Sequence, residues 1–243
     1  MYPSVRFFAR WVLRGTLRAL AVCLISSYLV AQTTAPAESA TFRVGLQSIL
    51  IPPPAPSLPE TGPDYRVLAE PFAPASNRLV AAFLLPEELK AMLTTKTSLT
   101  RYALVEVLRQ AEFADVSPAF FKQVSDSMAE QFGAKLNATL EDQQKEIDLK
   151  LKALGNQSSV TLEKPTMLGT LFSKVDAIGY GAVMPATVDG KTVTVAMCMT
   201  TLRVRQRLLF LYTYSRYTDD ESVKSLQRMS DKWSDAILKT NSQ

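Results

Sequence analysis

Residues 191–217 read KTVTVAMCMTTLRVRQRLLFLYTYSRY and contain two long β-type segments joined by a short polar link. In the first segment, valine and methionine alternate with threonine, alanine and cysteine, which is the period of two that a strand imposes on its faces. The second segment is apolar at every position from 208 to 212, as in a strand that is covered on both sides. This stretch therefore predicts the middle of a β-sheet.

The segment before it predicts an antiparallel partner. Asp189-Gly190 lies between the alternating segments 176–188 and 191–203. This dipeptide favours a two-residue type I′ hairpin turn, because both central positions of that turn need a positive φ angle. We therefore expect the two segments to pair as a hairpin.

Two glycines leave one side of the first hairpin segment bare. Gly179 and Gly181 are two positions apart, so they face the same side of a strand. A neighbouring backbone or side chain can approach closely there. Pro185, which has no N–H to donate, indicates a bulge or a sheet edge.

The C-terminal segment predicts a helix that covers the sheet. Residues 218–221, TDDE, have the pattern of a capping box at a helix start. The apolar face of the helix is formed by Val223, Leu226, Met229, Trp233 and Ile237. Burial of this face against the sheet should stabilise the domain by several kcal/mol, at about 2 kcal/mol for each large side chain.

Three further segments predict strands, and one predicts a connection. Residues 41–51 alternate in part and predict a first strand, and residues 78–85 and 99–110 predict two more. A helix is the alternative for 99–110, because Leu104 and Leu108 also fit a helical period. The prolines between 52 and 59 stop strand pairing and hold the chain extended across the surface. A proline-recognising partner is the alternative role for them.

The middle of the chain predicts one long helix. Ser117 is a suitable N-cap and Pro118 a suitable first residue, and apolar side chains then recur every four positions. From residue 141 the sequence is mostly charged, and an unbroken helix to Leu154 would be about 55 Å long. We expect its polar half to project from the body, or the helix to break near Gly133 or Asn137.

The N-terminus predicts a leader. Residues 1–31 begin with basic residues and continue with an uncharged segment, 19–31, whose length is typical of a signal peptide and too short to span a bilayer. This indicates an exported protein, periplasmic or secreted, with a disordered lead-in at 32–40 and a single domain at 41–243. The alternatives are lipidation of Cys23 and a leader that is retained as an uncleaved anchor. If the leader is cleaved, we expect the protein to contact the membrane only through the leader before cleavage.

The net charge of +4 also comes from the leader. The leader contains Arg6, Arg10, Arg14 and Arg18 and no acidic residue, so 23 basic residues remain against 23 acidic ones. A neutral domain without a basic segment lacks the charge that phosphate binding needs. This argues against nucleic acid as a partner.

The residue types that carry common chemistry are scarce. The chain has no histidine, which removes Ser-His and Cys-His arrangements and the usual zinc sites. Beyond the leader, Cys198 is the only cysteine, and its apolar surroundings favour a packed side chain over a nucleophile. Residues 219–221 could ligate calcium, but helix capping explains them. We therefore predict no catalytic residue, no cofactor and no metal site.

One group of residues is a candidate contact for a partner. Arg203, Arg205 and Arg207 occupy alternate positions around a predicted hairpin tip. They could share an edge and bind an anionic partner. A solvated strand end is the alternative interpretation.

The C-terminal pattern resembles a known family. RLLFLYTYSRY at 207–217, an acidic helix start and KWSDAIL at 232–238 are similar to the end of PsbP-like domains, and the first strand ending in IPPP at 51–54 is similar to their opening. These domains are α/β/α sandwiches that include photosystem extrinsic subunits and Mog proteins. The resemblance implies a non-enzymatic accessory domain that binds other proteins, and it transfers no functional residue.

We expect an α+β domain, an antiparallel sheet flanked by helices, that acts as a binding or accessory protein of the cell envelope with another envelope or extracellular protein as partner. A carboxylate-based hydrolase is one alternative, and it would need Glu and Asp side chains facing Gly179 and Gly181 in a cleft. A carrier of a hydrophobic ligand is the other, and it would need a large apolar cavity.

Overall fold

The computed structural model describes residues 39–63, 66, 73–85, 87–88, 100–138, 140–153, 160–188 and 190–242. The leader and nearly all of the lead-in lie outside the described residues. The strands are β1 (Ala40–Val44), β2 (Gln47–Ile51), β3 (Asn77–Leu84), β4 (Arg101–Leu108), β5 (Val160–Leu162), β6 (Thr166–Ser173), β7 (Ala177–Val188), β8 (Lys191–Val204) and β9 (Arg207–Arg216). The helices are α1 (Pro118–Ala138), α2 (Leu140–Ala153) and α3 (Asp220–Thr240).

In the described part of the chain, seven strands form an antiparallel sheet in the order β3-β4-β9-β8-β7-β5, and β6 pairs with β7 beside β5. Strand β9, which contains the apolar segment 208–212, lies between β4 and β8 and is buried on both faces, as the sequence predicts. The hairpin of β7 and β8 is also confirmed, since Val188 pairs with Lys191 across a two-residue turn. Gly190 in that turn has φ +77°, and Asp189 lies outside the described residues.

The sheet is covered on both faces, which confirms the predicted α+β sandwich. Helix α1 packs on one face through buried apolar residues that include Phe121, Val124, Met128 and Phe132. Helix α3 and the β1–β2 hairpin pack on the other face around Trp233 and Ile237. Because side chains alternate along β8, the strand contacts the helices on both faces. Met197 and Met199 face α1, and Ala196 and Cys198 face α3.

Helix α3 begins one residue later than the TDDE pattern indicates. Its N-cap is Asp219, whose carboxylate accepts a hydrogen bond from the Ser222 N–H at 3.0 Å. The Ser222 hydroxyl completes the reciprocal bond to the N-cap backbone. Ser222 therefore makes the reciprocal capping bond that the sequence pattern predicted for Glu221. The Glu221 carboxylate instead pairs with Arg228 at 2.6 Å.

The prediction of one strand at 41–51 was wrong. Strands β1 and β2 form a separate two-stranded hairpin, with Val44 paired to Gln47. Gly45 turns the chain with φ +57°, and a Cβ at this position would lie 2.4 Å from the carbonyl oxygen of Glu112. Both the left-handed backbone and the close approach require glycine here.

The proline-rich segment connects β2 to β3 and covers the outer edge of β3. The Thr61 N–H donates to the Ala82 carbonyl at 3.0 Å, and the Leu84 N–H donates to the Pro59 carbonyl at 3.3 Å. The segment therefore serves as the expected connection, but its last residues do pair with a strand. This pairing protects an edge that would otherwise be open to other chains.

The helical middle of the chain is divided in two, as predicted for the vicinity of Asn137. Helix α1 ends at Ala138 and α2 begins at Leu140. The Gln144 side chain of α2 accepts a hydrogen bond from the Leu162 N–H of β5 at 2.8 Å, so α2 lies against the edge of β5. Within the described part of the chain, no helix is both long enough and apolar enough to cross a membrane.

Candidate binding surface at the loop end of the sheet

Four turns meet at one end of the sheet, and we call them together the loop end. They are residues 45–46 between β1 and β2, 112–117 between β4 and α1, 174–176 between β6 and β7, and 205–206 between β8 and β9. The Gly45 N–H donates to Glu112 Oε1 at 3.2 Å, and the Val116 N–H donates to the Gln206 carbonyl at 2.8 Å. These bonds fix turns that are far apart in the sequence beside one another.

The β8–β9 turn has a strained backbone. Val204 pairs with Arg207, so Arg205 and Gln206 alone make the turn, with φ of 46° and 60°. Two left-handed residues in succession suit the right-handed twist of the strands, but a side chain in this conformation costs about 1 kcal/mol or more. The sequence did not indicate this turn because it lacks the asparagine or glycine that such turns favour.

Two of the three predicted contact arginines form ion pairs that hold the loop end together. Arg203 Nη2 lies 2.6 Å from Asp176 Oδ1. Arg207 Nη1 lies 2.6 Å from Asp115 Oδ1, and the Arg207 side chain is only 4% exposed. The two pairs link β8 and β9 to the turns at 174–176 and 112–117.

The third arginine, Arg205, binds backbone carbonyls. Arg205 Nε donates to the Asn241 carbonyl at 3.3 Å, and Arg205 Nη1 donates to the Ser48 carbonyl at 3.0 Å. Among the residues that the structure describes, no carboxylate forms an ion pair with it. The structure therefore brings the three arginines to one end, where each binds a different element.

Three large apolar side chains are exposed on three of these turns. Leu46 is 72% exposed at the β1–β2 turn, Phe113 is 67% exposed after β4, and Val175 is 82% exposed between β6 and β7. Of the other described large apolar residues that are exposed, Leu149 lies on α2 and Leu168 on β6. Sequence reasoning missed this group, because each residue is a single apolar side chain in a separate polar turn.

Glu112 is a charged anchor between the turns. Its carboxylate lies 2.5 Å from Arg78 Nη2 and also accepts the Gly45 N–H. Burial opposes its ionisation, but the hydrogen bonds from Arg78 and Gly45 outweigh burial, and the pKa of Glu112 is lowered from 4.5. The ionised Glu112 carboxylate therefore links the β1–β2 turn to Arg78 of β3.

The two bare glycine positions on β7 are filled by side chains of β6. A Cβ on Gly179 would lie 2.3 Å from Cε1 of Phe172, and a Cβ on Gly181 would lie 2.9 Å from Cδ1 of Leu171. The expected close approach is thus confirmed. The cleft with facing carboxylates that the hydrolase alternative needs is not formed at these glycines.

Cys198 lies on β8 and is fully buried against α3. Burial raises the pKa of its thiol to about 11, which leaves the thiol protonated near neutral pH. In the described part of the chain, no group of three or more acidic or cysteine side chains is arranged to hold a metal ion.

Comparison with known proteins gives structural similarity only. No protein-family model matches the chain, and no curated protein matches its sequence. The chain is similar to the Ran-binding protein Mog1p of Saccharomyces cerevisiae, with 8% identity and a TM-score of 0.31 over 84% of this chain and 95% of that one. A mutant of Mog1 gives 10% identity and a TM-score of 0.30 over 84% and 94%. TM-scores this low do not establish a common family, and membership of the PsbP-like family stays a prediction.

Proposed function

We propose that this protein is an exported, non-enzymatic accessory domain of the cell envelope that binds another protein through its loop end. The observation that carries the proposal is the exposure of Leu46, Phe113 and Val175 on three turns at the same end of the sheet. Export is inferred from the leader at residues 1–31.

Single exposed apolar residues are common on protein surfaces, but a group of them at one site indicates an interaction surface. Here the turns of Val175 and Phe113 are held by the Arg203–Asp176 and Arg207–Asp115 pairs, and the turn of Leu46 is held by the bond from the Gly45 N–H to Glu112. A surface that is already ordered loses less conformational entropy when a partner binds. The ion pairs thus support binding even though they neutralise two of the arginines predicted to make contact.

The path of the chain supports the same surface. Ala40 begins β1 and pairs with Ile51, at the opposite end of the β1–β2 hairpin from Gly45 and Leu46. The residues that precede β1 therefore join the domain away from the loop end.

Site-specific photo-crosslinking in cells that produce the full chain tests the surface. A benzophenone amino acid replaces Phe113 or Val175 in two test variants, and Leu149 or Leu168 in two matched controls that are also exposed and apolar. We expect one discrete protein adduct from both test positions and none from the controls. Adducts of equal yield at all four positions, or at none, would contradict the proposed surface.

Export is tested separately by fractionation and N-terminal sequencing. We expect the protein in the envelope or medium with residues 1–31 removed. A product that retains Met1 and stays with the cytoplasmic fraction would contradict export without bearing on the loop end.

A further inference from the structure

The charges of the loop end are not balanced. Four described cations in or beside the loop end have an acidic partner: Arg203 pairs with Asp176, Arg207 with Asp115, Arg78 with Glu112, and Lys174 with Asp231 and Asp235. Arg43 and Arg205 differ, because the hydrogen bonds of their guanidinium groups go to backbone carbonyls. No carboxylate in the described ranges forms an ion pair with either of them.

The two unbalanced arginines flank the same turn. Arg43 is exposed on β1, its Nε donates to the Gly45 carbonyl at 3.3 Å, and its cross-strand partner is Ser48. Arg205 Nη1 donates to the carbonyl of that same Ser48. Leu46 lies at the tip of this turn. Positive charge and exposed apolar surface therefore occur together.

Phe113 extends the apolar part of this surface. A Cβ placed on Gly45 would lie 3.2 Å from the Phe113 Cα, so the β1–β2 turn and the turn after β4 are in contact. A partner that covers Leu46 and Phe113 would thus approach Arg43 and Arg205 as well. Carboxylates on the partner would complement these two charges.

We infer that the loop end binds a protein segment that presents carboxylate side chains beside apolar ones, an inference that rests on the proposed function. Arginine suits this role because its planar guanidinium can bind a carboxylate through two parallel hydrogen bonds. The Arg205 side chain is already held by two carbonyls, so it keeps a fixed orientation.

An anionic membrane surface fits the loop end less well. The Asp115 side chain is 63% exposed and the Asp176 side chain 27% exposed, both on the turns that carry the apolar residues. Anionic lipid headgroups would be repelled by these carboxylates. A protein segment can place its own charges so as to avoid them.

The test measures how the crosslink at position 113 depends on the two charges. The full chain with the benzophenone amino acid in place of Phe113 also receives Arg43→Gln and Arg205→Asn, since asparagine tolerates the left-handed backbone at 205. The matched control receives Arg101→Gln and Arg216→Gln, two exposed arginines at the opposite end of β4 and β9. Thermal unfolding of each variant shows whether it folds, and Arg43→Gln alone replaces the double variant if the latter is unfolded.

We expect the yield of the protein adduct to fall by about threefold to tenfold when Arg43 and Arg205 are replaced, and to stay unchanged when Arg101 and Arg216 are replaced. In the protein that keeps all four arginines, we expect the yield to fall as NaCl is added. An adduct of unchanged yield in the folded test variant would overturn the inference that the partner is acidic and leave the proposed function intact. An equal loss of yield in the control variant would also overturn that inference. A phospholipid adduct at position 113, or no adduct at all, would overturn both.

Discussion

The indole N–H of Trp233 donates a 2.7 Å hydrogen bond to the main-chain carbonyl of Pro52. The same indole meets the ring of Phe83 edge to face, with centroids 5.4 Å apart and an interplanar angle of 83°. One side chain of α3 therefore joins the helix to the proline-rich connection and to β3 of the sheet. The packing of α3 on the sheet therefore depends strongly on this one side chain, which is 1% exposed.

Replacement of Trp233 should separate these two contributions. We expect Trp233→Ala to lower the free energy of unfolding by about 3–5 kcal/mol, because it removes a large buried side chain. Trp233→Phe keeps most of the apolar volume but leaves the Pro52 carbonyl without its donor, so we expect a loss of about 1–2 kcal/mol from the bond, with a further loss from the volume removed. Urea unfolding measures both.

Lys232→Ala, an exposed change on the same helix, is the control and should alter stability by less than about 0.5 kcal/mol. If Trp233→Ala were as stable as this control, that result would contradict the packing of α3 on the sheet described above.

The close contact between β6 and β7 predicts a coupled pair of mutations. Gly179→Ala would place a methyl group against the Phe172 ring, and we expect it to lower the free energy of unfolding by about 1–3 kcal/mol. In a Phe172→Ala background the ring is gone, so the same glycine substitution should cost much less. A double-mutant cycle of the unfolding free energies measures this coupling, and strictly additive effects would count against the contact.

The strained turn between β8 and β9 should respond in opposite directions to two substitutions. Gln206→Gly removes the penalty of a side chain at φ 60°, and we expect a stability gain of about 0.5 kcal/mol after the entropy cost of glycine. Gln206→Val adds a β-branched side chain at the same φ and should destabilise the protein by about 1 kcal/mol or more. Melting temperatures of the two variants give the signs directly, and a gain for valine would rule out the left-handed turn.

Glu112 should make the stability of the protein depend on acid pH. Its folded pKa lies below its ordinary value of 4.5, so its contribution is complete above pH 4.5 and is lost as the pH falls through the folded pKa. At pH 7 we expect Glu112→Gln to be less stable than the parent by about 1–2 kcal/mol. The difference should shrink progressively when urea unfolding is repeated at lower pH.

Glu221→Gln is the matched control for the acid titration. The hydrogen bond from Arg228 lowers the pKa of Glu221 as well, but this carboxylate is fully exposed and its ion pair is screened by solvent. We expect little change in stability at any pH. A pH dependence for Glu112→Gln identical to that of the parent would show that the Arg78 and Gly45 contacts do not matter.

Local patterns in the sequence predicted the central elements well. The alternation in β8, the continuous apolar segment in β9 and the apolar face of α3 all depend on a side-chain period that one element imposes by itself. The β7–β8 hairpin followed from Asp189-Gly190 for the same reason, since turn chemistry is local. The helix break near Asn137 followed from the length that one domain can accommodate.

The candidate site could not be predicted in the same way. Arg203 and Arg207 were singled out by their spacing, but their partners Asp176 and Asp115 are 27 and 92 residues away in the chain. Single residues such as Leu46 and Phe113 give no periodic signal when each lies in a different turn. The segment at 41–51 was mispredicted as one strand because the turn at Gly45 is held by Glu112, which is distant in the sequence.

The sequence by itself determined which faces of the strands and of α3 are apolar, and hence a layered α+β protein, because burial of those faces is favourable however the layers are arranged. Only the tertiary structure decided that four turns meet at one end, that Arg205 and Gln206 adopt left-handed backbone, and that Arg43 and Arg205 form no ion pair with a carboxylate among the described residues. Those features depend on strand register and on contacts between distant residues, and no local pattern encodes them.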